Sequence, residues 1–332
     1  MVILITGGLG YIGSYVALKA IQAGYECVIL DDLSSSSFGR HNEIEKITGK
    51  QIPIFIGDVG EVAKLYEVFS SHPIDIVIHC AGEKSVPESI EKPLRYFDSN
   101  VGKGIKLLQM MERFSVYQMI FSSSAAIYSS ENAQPLTEKS ITTGRTNAYA
   151  DSKLIFENIC RATTDSNHLW KIGLLRYFNP VGAHQTGVLG DAAWNNSSSL
   201  FNNVIKTVKG INAQIEVFGN NYDTRDGSCI RDFVHIDDLA TAHVSLIKNI
   251  GKINGTEAWN IGTGTGTTVL EFLSACEALI ERPIPKLFRD KRKGDIASSF
   301  CDITKAKRDF KYRPHYSLDD MLRDGLKFHG LI

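Results

Sequence analysis

Paired cysteines, an excess of one charge and long apolar runs are all missing from this 332-residue sequence. None of its six cysteines forms a C-x-x-C pair, which argues against a zinc site and against a disulfide framework. The 36 Lys and Arg against 37 Asp and Glu give a net charge of -1, so general nucleic-acid binding has no electrostatic support. No apolar stretch approaches the roughly 20 residues that a membrane-spanning helix needs.

The remaining composition is that of an ordinary globular protein, with 43% hydrophobic and 22% charged residues. The length predicts about two domains. The N-terminal apolar run is short and is followed by glycine at residue 7, so it does not have the pattern of a secretory signal. Dispersed cysteines and the absence of a leader pattern favour a protein of the reducing cytoplasm, with no membrane partner.

Short β-branched runs alternate with helical patterns through the first half of the chain. Strands are predicted at Val2–Thr6, Glu26–Leu30, Ile52–Ile56, Ile74–His79, Gln118–Ser122 and Lys171–Arg176, and helices at Ile12–Ala23, Val62–Ser70, Gly104–Phe114 and Tyr149–Thr164. This alternation predicts an α/β fold with a Rossmann-type doubly wound parallel sheet. From Pro180 to Ser199 the pattern breaks into what reads as a long loop, and helix and strand signals return from Leu200 onward.

A glycine-rich turn separates the first predicted strand from the first predicted helix. The segment T-G-G-L-G-Y-I-G places Gly7, Gly10 and Gly13 where a backbone can approach a pyrophosphate at a helix N-terminus. Asp31 follows the second strand, where a carboxylate accepts both ribose hydroxyls and repels a 2′-phosphate, which favours NAD over NADP. Asp58 follows the third strand and is placed to take the adenine amino group, or alternatively to cap a helix.

Tyr149 and Lys153 have Y-x-x-x-K spacing, which puts both side chains on one face of a helix. A lysine ammonium near a tyrosine is expected to lower the tyrosine pKa and make it a general base for a sugar hydroxyl. Ser122, Ser123 and Ser124 end the preceding strand, at the edge of the sheet where open α/β folds bind ligands. A solvated serine turn and a chance amphipathic face are the alternatives for these two motifs.

The segments TGGLGYIG, FSSSAAIY, YADSK, LRYFNPVGAH, RDFVHIDDLA and NIGTGTG occur in this order along nearly the whole chain. Together they resemble an extended short-chain dehydrogenase/reductase of the UDP-glucose (UDP-galactose) 4-epimerase family. The resemblance implies an isomerase with tightly bound NAD. Tyr149, Ser124 and Lys153 would be its catalytic residues. Hydride would leave C4 of a UDP-hexose, the 4-keto sugar would turn over, and hydride would return to its other face. Galactose metabolism and surface-glycan precursor supply are both implied as settings.

The resemblance also implies two sets of binding residues. The cofactor-binding set is Gly7, Gly10, Tyr11, Ile12, Gly13, Asp31, Asp32, Ser36, Asp58, Val59, Cys80, Ala81, Lys84, Ser122, Tyr149, Lys153 and Tyr177. The substrate-binding set is Lys84, Ser124, Tyr149, Phe178, Asn179, Ser199, Leu200, Phe218, Arg231, Arg292, Asp295 and Ser299. The two arginines suit a diphosphate, since guanidinium groups bind phosphate oxygens bidentately. No metal site is expected.

Several positions depart from the family pattern, and Ser299 is the most informative. That position resembles a gate beside the sugar 2-substituent, where tyrosine leaves room only for a hydroxyl. A serine there predicts that UDP-N-acetylglucosamine (UDP-GlcNAc) and UDP-N-acetylgalactosamine (UDP-GalNAc) are accepted as well as UDP-glucose and UDP-galactose. A tolerated surface serine is the alternative. Asp32, Ser99 and Ser198-Ser199 replace residues common in the family.

Other functions on the same scaffold remain open at this stage. A 4,6-dehydratase needs an acid and a base after the strand-end serine, and Ser124 is followed by two alanines. A reductase, a UDP-uronate epimerase and a non-catalytic NAD-binding sensor are the alternatives to a UDP-hexose 4-epimerase. The resemblance further implies a homodimer, and the amphipathic helices predicted at Gly104–Phe114 and Tyr149–Thr164 are the candidates for its interface. The predicted division is an NAD-binding domain of residues 1–178 plus about 233–260, with a smaller α+β UDP-sugar lobe of residues 179–232 plus 261–332.

Overall fold

A computed structural model gives the structure of the chain. It describes residues 1–143, 147–191, 193–196, 198–292 and 295–332, without the side chain of Asn196. The strands are β1 Val2–Thr6, β2 Glu26–Asp31, β3 Ile54–Ile56, β4 Ile74–His79, β5 Gln118–Ser124, β6 Lys171–Tyr177, β7 Asn179–Val181, β8 Ile215–Phe218, β9 Ile230–Arg231, β10 Phe233–His235, β11 Gly255–Ile261, β12 Thr267–Thr268, β13 Lys286–Arg289 and β14 Ser298–Ser299. The helices are α1 Tyr11–Gln22, α2 Gly39–Thr48, α3 Val62–Ser71, α4 Val86–Glu91, α5 Pro93–Phe97, α6 Lys103–Arg113, α7 Ala148–Ser166, α8 Leu200–Val208, α9 Ile236–Ile247, α10 Val269–Ile280, α11 Thr304–Phe310 and α12 Leu318–Phe328.

Seven parallel strands form the central sheet, in the order β11-β6-β5-β4-β1-β2-β3. The strands read as continuous apolar runs because helices cover both faces of the sheet. One apolar cluster packs α1 and α9 against one face, and a second packs α3, α6 and α7 against the other. The sheet confirms the predicted doubly wound α/β fold.

The strand order reverses between β1 and β4, because β2 and β3 continue on one side and β5, β6 and β11 on the other. In open parallel sheets such a switch point opens a crevice beyond the carboxyl ends of the strands. The glycine turn after β1, Cys80 after β4 and Ser124 at the end of β5 therefore lie along one edge.

A third apolar cluster is built mainly from residues beyond 180, including Phe201, Phe233, Phe272 and Leu322. Small sheets accompany it, pairing β10 with β7, β13 with β8, and β12, β9 and β14 with one another. This separate core supports the predicted substrate lobe, and the exact domain boundaries stay a prediction.

Besides α10, α11 and α12, three helices within the first hundred residues were not predicted from the sequence. Helix α2 is mostly polar, so it has almost no apolar periodicity, and only Arg40, His41 and Ile44 are buried on it. Helices α4 and α5 are one to two turns long and carry proline in the first turn, which reads as loop in sequence. No helix among the described residues is long and apolar enough to cross a membrane.

The predicted long loop at Pro180–Ser199 is wrong at its start, since Asn179–Val181 forms β7 and pairs with β10. A 3-10 turn at Trp194–Asn196 interrupts the rest, and residues 192 and 197 lie outside the described part. Strands β5 and β6 run beyond their predicted ends, to Ser124 and Tyr177. Their polar last residues still pair in register, because backbone hydrogen bonds do not depend on side-chain polarity.

Candidate active site

The glycine turn is packed too tightly for any side chain. A Cβ on Gly13 would stand 2.1 Å from the carbonyl oxygen of Gly7, and Gly7 itself has φ +66°. Gly10 precedes α1 with no side-chain cap, so the first backbone N–H groups of the helix keep their donor capacity. This cradle fits a pyrophosphate. Ile12 is the second residue of that helix turn.

Two cofactor candidates from other elements lie beside the turn. A Cβ on Gly7 would meet the backbone nitrogen of Ala81 at 2.7 Å, so the turn contacts the segment after β4. The ammonium of Lys84 lies 5.9 Å from the ring centroid of Tyr11, whose hydroxyl donates to the Gly182 carbonyl at 2.7 Å. The Lys84 cation therefore lies close to the first residue of α1, which follows the glycine turn.

Asp31 ends β2 with a buried carboxylate. It accepts hydrogen bonds from the backbone of Leu9 at 2.8 Å, the backbone of Leu33 at 2.9 Å and the hydroxyl of Ser36 at 2.7 Å. The neighbouring Asp32 instead accepts from Ser34 at 2.9 Å in an exposed turn. Asp31 is thus fixed against the glycine turn, and its role as the ribose partner stays a prediction.

Asp58 follows β3 and its carboxylate accepts from Lys103 and, at 2.6 Å, from the Gly60 backbone. Burial is the largest single influence and raises the pKa of Asp58. The contacts with Lys103 and Gly60 together outweigh it, so the pKa is lowered. The helix-cap alternative for Asp58 is wrong, since Glu61 precedes α3. Val59 beside it is buried in the core. The adenine role of Asp58 stays a prediction.

Ser124, Tyr149 and Lys153 come together at the carboxyl end of β5. The side chains of Tyr149 and Ser124 interact, and the Lys153 ammonium lies 6.0 Å from the Tyr149 ring centroid. Lys153 is buried and donates to the Ser122 carbonyl at 2.9 Å. Asn147 caps the start of α7 by accepting from Ala150, which sets the helix register two residues before Tyr149.

The electrostatics differ from the expectation that Lys153 lowers the Tyr149 pKa. Burial raises the pKa of Tyr149 above the usual tyrosine value, and the hydrogen bond with Ser124 is what opposes it. Burial also lowers the pKa of Lys153 to about 8, so its charge is lost as pH rises through that value. In this geometry the serine, rather than the lysine, favours the phenolate.

Three buried side chains and the partly buried Cys80 form a hydrogen-bonded chain that includes Ser122, the residue whose carbonyl accepts from Lys153. The Ser122 hydroxyl lies 3.1 Å from the Cys80 sulfur and 2.9 Å from the Tyr177 hydroxyl, which lies 2.6 Å from Nε2 of His243. The three predicted cofactor residues Cys80, Ser122 and Tyr177 are therefore brought together. His243 was not predicted, because a histidine inside an apolar helix gives no sequence signal of its partner.

Most of the predicted substrate residues lie after β6, whereas Lys84, Ser124 and Tyr149 precede it. Asn179 begins β7 after buried Phe178 and donates through its amide to the Asp232 carbonyl at 2.9 Å. Ser199 caps α8 by accepting from Asn202, and Leu200 is the first residue of that helix.

Two cation contacts mark the outer part of this lobe. The Arg292 guanidinium lies 3.6 Å from the centroid of the Phe218 ring, which stacks an exposed arginine on a half-buried aromatic side chain. Arg231 donates to the Asp295 carboxylate at 2.5 Å. Two residues that are both predicted to bind the substrate are therefore paired with each other here. Ser299 on β14 stands opposite Arg231 on β9.

Glu157 and Arg176 form a buried ion pair that the motif analysis missed, at 2.7 Å between Nη2 and Oε2. A signal for Glu157 was available, because it follows Lys153 by four residues on the face that carries Tyr149. Arg176 lies in an otherwise apolar strand, where a buried charge requires a partner. Among the described residues no cluster of His, Cys, Asp and Glu could hold a metal ion.

Comparison with known proteins places these features in a family. Residues 3–262 match the model of the NAD dependent epimerase/dehydratase family. The chain is 39% identical over 330 residues to the UDP-glucose 4-epimerase of Bacillus subtilis, covering 99% of this chain and 97% of the relative.

Solved structures agree in fold over the whole length. The UDP-glucose 4-epimerase from Bifidobacterium longum in complex with NAD+ and UDP matches with a TM-score of 0.95 and 38% identity, covering 99% of this chain and 98% of that one. The UDP-Glc/GlcNAc 4-epimerase from Campylobacter jejuni matches with a TM-score of 0.87 and 27% identity, covering 100% and 99%.

Proposed function

Because this chain belongs to the NAD dependent epimerase/dehydratase family and is an NAD-dependent UDP-sugar 4-epimerase, we propose that it acts on both plain and N-acetylated UDP-hexoses through a transient 4-keto sugar. The observation that carries the chemistry is the meeting of Ser124, Tyr149 and Lys153 beside the glycine cradle. The substrate pairs are UDP-glucose with UDP-galactose and UDP-GlcNAc with UDP-GalNAc.

In this proposal Tyr149 takes the proton of the sugar 4-hydroxyl as the hydride leaves C4, and returns it when the hydride comes back. Ser124 hydrogen-bonds Tyr149 and favours its phenolate. Lys153 is held against the Ser122 carbonyl and supplies positive charge below about pH 8. When bound, NAD would accept one hydride and give it back. Asp31 and the glycine turn are the residues proposed to hold it.

Isotope labelling tests the 4-keto route. UDP-galactose carrying deuterium at C4 is expected to give UDP-glucose that retains deuterium at C4, because the same hydride is removed and returned. A route that takes C4 hydrogen as a proton would exchange the label with solvent. Loss of deuterium from the product, measured by mass spectrometry, would contradict the proposal.

Ser299 is proposed as the residue that admits the N-acetyl group. It stands in register with Arg231, next to the Arg231–Asp295 pair that is predicted to hold UDP, and its carbonyl accepts from the Asp232 backbone at 3.1 Å. A small side chain on this short strand leaves space beside the sugar. The similarity to the Campylobacter jejuni UDP-Glc/GlcNAc enzyme supports the same specificity.

Replacing Ser299 by tyrosine is expected to lower UDP-GlcNAc turnover by about a hundredfold, since overfilling a site costs roughly 1–3 kcal/mol. UDP-galactose turnover is expected to stay within about threefold, because a hydroxyl needs less room than an acetamido group. The matched control is Ser298→Tyr, since neighbouring side chains of a strand point to opposite faces. That control should leave the ratio of the two activities unchanged. Equal losses with both substrates in Ser299→Tyr would exclude the gate.

The homodimer is proposed to form through the outer faces of α4 to α7. Apolar side chains are exposed there, with Leu94 at 82% and Ile90 at 66%, together with Ile105 and Ile155. Helices α4 and α5 pack on α7, so these residues form one face. An apolar face of this kind marks an interaction surface.

The double change Ile90→Glu and Leu94→Glu is expected to convert a dimer to a monomer, measured by sedimentation or light scattering. The control Ile211→Glu places the same charge on an apolar residue that is 56% exposed in a different part of the chain. A double variant that remains dimeric would show that the face is not the interface.

The six cysteines are free thiols, which supports the predicted cytoplasmic location.

A further inference from the structure

Glu157 lies on the catalytic face of α7, one turn after Lys153 and two turns after Tyr149. Its side chain is fully buried. A buried carboxylate is costly unless it is paired and hydrogen-bonded, so its partners show what the residue holds in place.

Those partners come from two strands of the central sheet. Ser123 on β5 donates to Glu157 at 2.6 Å, and Arg176 on β6 donates through Nε at 2.9 Å and through Nη2 at 2.7 Å. Ser123 and Arg176 stand opposite each other in the β5–β6 register. Burial raises the pKa of Glu157, but the contacts with Arg176 and Ser123 outweigh burial and lower it, so the carboxylate is charged.

Three contacts join the end of β5 to α7. The Ser122 carbonyl accepts from Lys153, the Ser123 hydroxyl donates to Glu157, and the Ser124 side chain interacts with Tyr149. The last three residues of the strand thus contact three helix residues that lie on one face of α7. A slip or tilt of the helix at Glu157 therefore moves both Lys153 and Tyr149 relative to the strand end.

Arg176 is fixed from its other side as well. Its Nη1 donates to the Tyr128 hydroxyl at 2.9 Å, and that hydroxyl donates to the side-chain oxygen of Asn260 at 2.6 Å. The guanidinium is planar and rigid, so a bidentate partner is held in one orientation. A buried ion pair adds little net stability over apolar residues of the same shape, whereas it does restrict orientation.

We propose that Glu157 and Arg176 are positioning residues for the epimerase reaction, which hold Tyr149 in register with Ser124. The inference rests on the proposed roles of Tyr149, Ser124 and Lys153. Neither Glu157 nor Arg176 contacts the reacting atoms in this account. Their effect passes through the alignment of α7 on β5.

The first test is Glu157→Gln, which keeps the side-chain shape and removes the charge. We expect kcat to fall by about tenfold to a hundredfold, since a misplacement on the order of 1 Å can cost about a hundredfold. KM for UDP-galactose is expected to change by less than about threefold. The acid limb of the pH profile of kcat should move to higher pH, because a misaligned Ser124 lowers the Tyr149 pKa less.

Ser123→Ala removes a single hydrogen bond to Glu157 and is the second test variant in case Glu157→Gln fails to fold. It is expected to change kcat and the acid limb in the same directions, by a smaller amount. The matched control is Arg161→Gln, which removes the partly exposed ion pair to the same carboxylate at 2.9 Å and leaves both strand contacts. This control should keep kcat and the pH profile of the unchanged protein.

The double change Glu157→Leu and Arg176→Met distinguishes a positioning role of the pair from a purely structural one. Apolar replacement of a buried pair often preserves stability, so thermal unfolding should remain near that of the unchanged protein. The proposal expects kcat to stay low in this stable protein. Recovery of kcat together with stability would overturn it, as would unchanged kinetics in both Glu157→Gln and Ser123→Ala. Full activity in Tyr149→Phe would instead overturn the underlying catalytic assignment.

Discussion

Replacing Tyr149 by phenylalanine is expected to lower kcat for UDP-galactose by about a thousandfold, within the range of roughly 10²–10⁴ for loss of a general base. The phenyl ring fills the same space, so the fold and the bound NAD should be retained. Only the hydroxyl that hydrogen-bonds Ser124 is removed. The measurement is steady-state turnover alongside nucleotide content of the purified variant.

The control for this variant is Tyr66→Phe, which removes the hydroxyl of a tyrosine on α3 that is 46% exposed. That change should leave turnover within about twofold. A Tyr149→Phe protein that keeps its NAD and turns over UDP-galactose at the unchanged rate would remove Tyr149 from the mechanism.

Replacing Gly13 by alanine is expected to abolish nucleotide retention. The new Cβ would stand 2.1 Å from the Gly7 carbonyl oxygen and 2.9 Å from the Gly8 Cα. Both are backbone atoms of the cradle itself, so relief requires the turn to move. The variant should purify without bound nicotinamide nucleotide, show less than about one hundredth of the activity and unfold at lower temperature.

The matched control is Gly251→Ala, since a Cβ there meets nothing within 4 Å. It should retain nucleotide and activity. If Gly13→Ala still copurified with nucleotide at the stoichiometry of the unchanged protein, the glycine turn would not be the cofactor cradle.

Six of the seven strands of the central sheet were predictable from sequence because they are short, mainly apolar runs, whereas β11, which carries Thr256, Glu257 and Asn260, was not predicted. Patterns of this kind located β1 and β4 at their observed bounds. The polar helix α2 and the short helices α4 and α5 were not predictable, because tertiary contacts rather than apolar periodicity stabilise them. Their formation depends on neighbours that a local sequence window does not contain.

The site could be predicted where local spacing fixes geometry, and not where distant segments meet. Y-x-x-x-K on one helix face and glycines at a strand-to-helix turn are local features. The direction of the Tyr149 pKa was predicted wrongly, because burial depends on the surrounding fold. The partners of Glu157 and His243 lie on other elements, which no spacing in sequence reveals.

Proton NMR of the purified protein, incubated separately with UDP-GlcNAc and with UDP-glucose and without added cofactor, tests the central claim most directly. The account predicts UDP-GalNAc from the first and UDP-galactose from the second, since retained NAD supports repeated turnover. UDP-galactose alone would keep the epimerase activity and remove the role of Ser299. No change in either substrate, even after NAD is supplied, would contradict the proposed function.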